Sequence, residues 1–160
     1  GDFEVAPCDG WAGVLDGGPL PDGDVVVSAQ RLAAEPGLVS RTGRLGVRCP
    51  NDQPLDAIVA HLDRLARIEL EFPKFTDGRS YTLARRLREV HGYGGELVAV
   101  GDVLRDQLLY MLRCGFSAFE LAPGTDATAA LRAFDETSAH YQAACDLRLP
   151  LWKRVARPPA

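Results

Sequence analysis

A chain of 160 residues with 46% hydrophobic content can build one domain around its own core, without disulfide or metal staples. Its 22 acidic and 18 basic residues leave a net charge of −4, which excludes a protein that gathers DNA or RNA by its overall field. No apolar run approaches the roughly 20 residues needed to cross a bilayer, and no basic stretch followed by an apolar one opens the chain. Membrane and nucleic acid are therefore not expected partners, and a cytoplasmic location is expected.

Residues 1–44 read as an irregular N-terminal arm, with prolines and glycines scattered around the strand pieces Phe3-Glu4-Val5 and Trp11-Ala12-Gly13-Val14-Leu15. Within it Val25-Val26-Val27 is strand-like, and Ser28 is placed to cap a short helix ending near Pro36-Gly37. Residues 45–160 read as the α/β domain with a C-terminal tail. Leu45 to Cys49 is a strand, and Pro54 opens a stretch in which Leu55, Ile58, Val59, Leu62 and Leu65 recur at helical spacing. Ile68, Leu70 and Phe72 alternate with Glu69 and Glu71, the pattern of a strand with one polar face. Leu83, Leu87 and Val90 mark a helix closed by Gly92, and Leu97-Val98-Ala99-Val100 is a strand apolar on both faces. A helix through Leu104, Leu108, Met111 and Leu112, a strand at Phe119 to Leu121, and a helix through Ala130, Leu131, Phe134 and Tyr141 complete a βαβαβαβα order.

One helix fits between each pair of strands, the length that a right-handed parallel crossover needs. The fold class is α/β with a parallel sheet, either an open layered sheet or an incomplete barrel. In both, the carboxyl ends of the strands gather the ligand-facing loops. Those ends carry Asn51-Asp52, Lys74 to Arg79, Gly101-Asp102 and Pro123-Gly124.

Two of these loops are candidate sites. In Phe72 to Thr82 a turn feeds a helix start, whose partial positive charge attracts anions. Gly78 would allow close backbone approach there, with Lys74, Thr76 and Arg79 beside it. Asp77-Gly78 also suits an ordinary turn, Ser80 an ordinary helix cap, and Arg79 a local pair with Asp77 or Glu71. Among Arg79, Arg85, Arg86 and Arg88, helical geometry spreads the charges over more than one face, with Arg88 and Glu89 on the exposed side. The second loop is Val100 to Gln107. Asp102 is either an N-cap or, with Asp106 four residues on and Arg105 and Gln107 nearby, one wall of a pocket. Candidate catalytic residues are Asp77, Arg79, Asp102 and Arg105. Candidate ligand-binding residues are Lys74, Thr76, Gly78, Arg79, Asp102 and Gln107.

If the strands lie as read, Arg48, Glu69, Glu71 and Glu120 share one sheet face, which is either open and solvated, the preferred reading, or lined by ion pairs. The cysteines at 8, 49, 114 and 145 stand singly, without a C-x-x-C pair or a histidine at ligand spacing, so no metal site is expected and each reads as a small buried hydrophobe. His61, His91 and His140 read as surface or packing residues. Gly92-Tyr93-Gly94-Gly95 precedes a strand, where a dinucleotide fingerprint would follow one.

Three strings, Phe72-Pro-Lys-Phe-Thr-Asp-Gly-Arg-Ser-Tyr-Thr-Leu-Ala-Arg-Arg-Leu-Arg-Glu, Gly95-Glu-Leu-Val-Ala-Val-Gly-Asp-Val-Leu-Arg-Asp-Gln-Leu and Arg113-Cys-Gly-Phe-Ser-Ala-Phe-Glu-Leu, resemble the bacterial DUF934 family. The resemblance is close over residues 44 to 142 and loose over the arm. That family is uncharacterised and often labelled a probable oxidoreductase of sulfite reduction, because its genes tend to lie beside that of the sulfite reductase haemoprotein. The resemblance implies a role in assimilatory sulfate reduction, with sulfite reductase as a partner. Where the family reads D-G-R-G-Y-S, this chain has Asp77-Gly78-Arg79-Ser80-Tyr81-Thr82. A position that accepts serine does not require positive φ, which moves the expected special backbone position onto Gly78.

With no ligand set for siroheme or an iron–sulfur cluster and no nucleotide fingerprint, no cofactor is expected, and whether the chain is an enzyme stays open. Two functions follow: an accessory protein binding a small anion at the strand carboxyl ends, or an interaction subunit docking on sulfite reductase. The docking alternative rests on the apolar tail, Leu147, Leu149, Leu151, Trp152 and Val155, which covers a partner, this domain or a second copy in a homodimer.

Overall fold

Six short runs of aliphatic residues pair side by side in the order in which the chain supplies them: β1 (Ala12–Val14), β2 (Val25–Ser28), β3 (Leu45–Cys49), β4 (Leu65–Phe72), β5 (Glu96–Gly101) and β6 (Ala118–Phe119). Every pair is parallel, so the result is a single open α/β sheet, not closed into a barrel. The computed structural model describes residues 5, 10–15, 17–136 and 142–145. The segment expected to be an irregular arm supplies β1 and β2 to this same sheet.

Sequential order has a geometric consequence. Each right-handed crossover returns to the next position along the same edge, so the helices between strands land on one face. They are α1 (Ala29–Ala34), α2 (Asp56–Val59), α3 (Arg79–Glu89), α4 (Leu108–Arg113) and α5 (Ala127–Leu131). Their buried residues, Leu32, Ile58, Leu83, Leu87, Leu108, Met111 and Ala130, join one core cluster with Val25, Val27, Val47, Ile68, Leu70, Phe72, Leu97 and Ala99 from the sheet. Ser28 caps α1 as its position suggests, its side chain accepting the Arg31 N–H at 3.1 Å.

The helix expected through Leu65 is much shorter. Only residues 56–59 of α2 are helical, and Leu65 already opens β4, because Leu62 and Leu65 match both a helical stripe and the approach to a buried strand. The helix expected from Leu104 is a 3-10 turn over 105–107 followed by α4. The last helix is α5 with a 3-10 turn over 132–134. Tyr141 lies outside the described residues.

Strand register decides the opposite face. Ser28, Arg48, Glu69, Val98 and Ala118 lie in one row across the sheet, with Glu71 beside Val100 in the next, and Glu120 follows β6 on that side. The shared face was legible in the alternation, but Glu69 is not solvated. Its side chain is 4% exposed, bound to Arg48 Nε at 2.6 Å and Arg67 Nε at 3.0 Å. Arg67 also reaches Glu96 at 3.4 Å and faces the Trp11 ring. An ionic row therefore replaces the expected open face around Glu69. A buried carboxylate persists only when charges and donors surround it, and two strands supply them here. Gly46 leaves room for Trp11, since a Cβ there would stand 3.2 Å from its ring.

Candidate functional site

The loops at the carboxyl ends of β3, β4 and β5 form the candidate site, and Gly101 sets their spacing. Gly101 has φ 98°, and a Cβ there would meet the Phe72 carbonyl oxygen at 2.5 Å. Only glycine lets the end of β5 fold this tightly against β4. The next residue then donates its N–H to that same Phe72 carbonyl at 2.8 Å. Asp102 is thereby held beside the loop leaving β4, where its Oδ2 accepts the Phe75 N–H at 2.9 Å. From the turn before α4, Gln107 Nε2 donates to the Phe75 carbonyl at 2.8 Å. Both backbone polar groups of Phe75 are fixed by side chains from the β5–α4 connection, while the residue itself is 50% exposed.

The second half of the loop closes on itself. Asp77 accepts the Arg79 backbone N–H at 3.2 Å and its guanidinium at 2.7 and 3.0 Å. Its own N–H donates to the Lys74 carbonyl at 2.9 Å. The Arg79 side chain, then its backbone N–H and the nearby Asn51 amide, hold the Asp77 carboxyl well below the usual carboxylate range. Arg79 is shifted up in return, chiefly by Asp77 and further by Asp52. Asn51 comes from the β3 loop, is 6% exposed, and faces this corner with a buried Nδ2 that closes no well-formed hydrogen bond. In chemical terms, the start of α3 already holds a carboxylate where a free oxyanion would sit.

The candidate residues thus separate into three groups. Asp102 and Gln107 meet at Phe75. Asp77 and Arg79 meet at the α3 start beside Asn51, with Lys74 and Thr76 exposed on the loop between. Arg105 turns away, pairing with Glu136 and reaching the Ala129 carbonyl at 3.4 Å.

Several expectations are corrected. Gly78 has φ −83°, and a Cβ there would meet only Tyr81 at 3.7 Å. Gly101 is the residue whose backbone demands glycine. Ser80 does not cap α3: fully buried, it donates its hydroxyl to the Glu71 carbonyl at 2.6 Å. Asp102 is neither a helix cap nor a partner of the exposed Asp106, because two residues, Val103 and Leu104, separate it from the 3-10 turn and its carboxylate is spent on Phe75. Arg88 is not on the exposed side: it is half-buried and donates to the carbonyls of Tyr93, Gly95 and Gly115. Phe75 and Asn51 were not singled out as site residues. The signal available for both was position alone, at a strand's carboxyl end.

At the amino ends of β4 and β5 lies a cavity of about 550 Å³, lined by Val59, Leu62, Asp63, His91 and Tyr93 among others. Among the described residues no three His, Cys, Asp or Glu side chains gather as a metal site would require. No described helix is long and apolar enough to cross a membrane.

Fold and site together define a parallel α/β domain with sequential strand order and a side-chain-braced rim at its strand carboxyl ends. The chain belongs to the DUF934 family, described as bacterial protein of unknown function, whose model matches residues 46–152. That match spans the strands and loops that build the rim. No curated protein and no solved structure matches the chain.

Proposed function

We propose that this chain is an accessory protein of assimilatory sulfite reduction that docks on sulfite reductase through the loop 73–79. The observation that carries this reading is Phe75: a half-exposed aromatic whose backbone N–H and carbonyl are both fixed by side chains of the neighbouring loop. An aromatic held in place before contact loses little freedom on binding, and such residues dominate interface energies. Exposed Lys74 and Arg79 flank it, so the surface it fits is an apolar pocket with an acidic rim. The sulfur pathway and the partner come from the family resemblance. The apolar tail, residues 147–155, lies outside the described residues and is not needed for this reading.

The test is binding of the sulfite reductase haemoprotein to the immobilised chain. Phe75→Ala is expected to weaken the complex at least tenfold, about 1.4 kcal/mol, whereas Val90→Ala, exposed on the far end of α3, is expected to leave it unchanged. Equal affinity of wild type and Phe75→Ala would overturn the proposal.

A second reading, a small oxyanion at the corner of Asn51, Asp77 and Arg79, is favoured by the buried Asn51 Nδ2, which faces Asp77 beside the α3 start without a well-formed hydrogen bond. It requires the ligand to displace the Asp77 carboxylate. Calorimetry with sulfite, sulfate and adenylylated sulfate tests it: binding that is lost in Asn51→Ala supports it, and no heat at millimolar ligand contradicts it.

A further inference from the structure

Cys114 and Cys145 stand far apart in sequence, but the fold brings their backbones together at the end of α4. The Cys145 N–H donates to the Arg113 carbonyl at 3.1 Å, and the Arg113 guanidinium donates to the Gln142 carbonyl at 2.7 Å. These two bonds hold residues 142–145 against the end of α4. Because that Arg113 carbonyl belongs to the peptide joining Arg113 to Cys114, the Cα atoms of Cys114 and Cys145 are at most about 7 Å apart, close to the range a disulfide spans. Both cysteines are free thiols, and Cys114 is close enough to add to the upward shift of the Cys145 thiol.

The two thiols differ in access and in surroundings. Cys114 is buried and Cys145 is partly exposed. The Cys145 Sγ–H donates to Glu89 Oε1 at 3.5 Å. Burial raises the Cys114 thiol, a rise that the Tyr110 hydroxyl and the Arg85 guanidinium oppose, and Arg85 opposes the rise of Cys145 as well. One reachable thiol beside one shielded thiol is the arrangement of an attacking and a resolving cysteine.

We propose that Cys145 and Cys114 form a thiol–disulfide exchange site for a low-molecular-weight disulfide of the glutathione type. Cys145 loses its proton and attacks one sulfur of the external disulfide. That S–S bond breaks, one half departs as a thiolate, and the other half remains on Cys145 as a mixed disulfide. Cys114, deprotonated beside Tyr110 and Arg85, then attacks Cys145 Sγ, and the second half departs as a thiolate. Two protein thiols are oxidised by two electrons, the external disulfide is reduced to two thiols, and the two protons lost by the protein end on the leaving groups. The product ties residues 142–145 covalently to the end of α4.

Burial pushes both thiols up, Cys145 to about 11, so exchange is slow at neutral pH and rises about tenfold per pH unit below that value. The test is incubation of the full chain with glutathione disulfide, acid quench and peptide mass mapping. A Cys114–Cys145 linked peptide pair, lighter by two hydrogens, is expected, with the rate rising with pH as stated. Cys114→Ser is expected to stop at a glutathione adduct on Cys145, and Tyr110→Phe to accumulate that adduct by slowing resolution. The proposal is overturned if the folded chain forms no 114–145 link under conditions that link the urea-unfolded chain. It is equally overturned if Cys145 pairs with Cys8 or Cys49, or if Cys114 in Cys145→Ser gains glutathione as fast as Cys145 does in the wild type.

Discussion

The Asp102 carboxylate accepts the backbone N–H of Phe75 at 2.9 Å, across 27 positions of sequence and between the ends of two adjacent strands. An acidic side chain at the end of a central strand here braces the neighbouring loop. Gln107 completes the brace from the other side of the same residue, so the Lys74 to Asp77 segment is held as part of the scaffold.

Removing that brace is expected to loosen the loop more than the protein. Asp102→Ala deletes a charge-assisted hydrogen bond at a partly exposed site, worth about 1.5–3 kcal/mol. Amide exchange at Phe75 is expected to accelerate accordingly, while core amides in β4 and β5 speed up only by the global loss. Unchanged exchange at Phe75 would mean that the loop holds itself.

The two glycines of the site are expected to behave oppositely. Gly101→Ala places a Cβ against the Phe72 carbonyl at a positive φ and is expected to cost about 1–3 kcal/mol or more by urea denaturation. Gly78→Ala sits at a negative φ, where the new Cβ makes only an ordinary contact with Tyr81, and is expected to be neutral or stabilising by a few tenths to about 1 kcal/mol. Equal losses for both would contradict this reading of the turn.

Glu69→Gln is expected to be among the costlier single changes in the sheet. It strips the charge from a carboxylate shared by Arg48 and Arg67, and breaking a buried pair in this way typically costs about 3–5 kcal/mol. Arg48 is partly exposed, so Arg48→Leu is expected to cost less than Glu69→Gln. Denaturation midpoints in the reverse order would show Arg48 to be the essential member.

Alkaline pH offers a separate check. Burial, then the charges of Glu71 and Glu69, push the Cys49 thiol from its ordinary 9.0 up to about 12. The folded chain keeps that proton in a range where the unfolded chain has lost it. The stability it contributes is complete below pH 9 and declines between 9 and 12, by up to about 1.4 kcal/mol per pH unit. Cys49→Ala is expected to flatten that decline. Asp77 acts at the other extreme: its lowered pKa gives stability present above the unfolded carboxylate value, about 4, and lost as pH falls from there, so Asp77→Asn is expected to flatten the acid limb.

Sheet positions were legible in the sequence because strand periodicity is local. Leu45 to Cys49 read as a strand and Leu97 to Val100 as one apolar on both faces, and the alternation at Glu69 and Glu71 gave the shared face. Burial of Glu69 was not legible, since Arg48 becomes its partner only once the β3–β4 register aligns them, although Arg67 shares its face two residues away on the same strand. The rim failed in detail for a related reason. Asp77-Gly78 and Ser80 carry local turn and cap chemistry, yet Ser80 is claimed by the Glu71 carbonyl and the demanding glycine lies in the adjoining strand, at Gly101. Strand ends located the site, but which side chain braces which backbone depended on contacts 27 and 32 residues apart.

Docking through the Phe75 loop is tested most directly by amide hydrogen exchange of the chain with and without the sulfite reductase haemoprotein. Protection is expected at residues 73–79 and at Asp102, with the amino-end loops, Val59 to Leu65 and His91 to Gly95, unaffected. Protection confined to those amino-end loops, or no protection at saturating partner, would contradict docking through this rim.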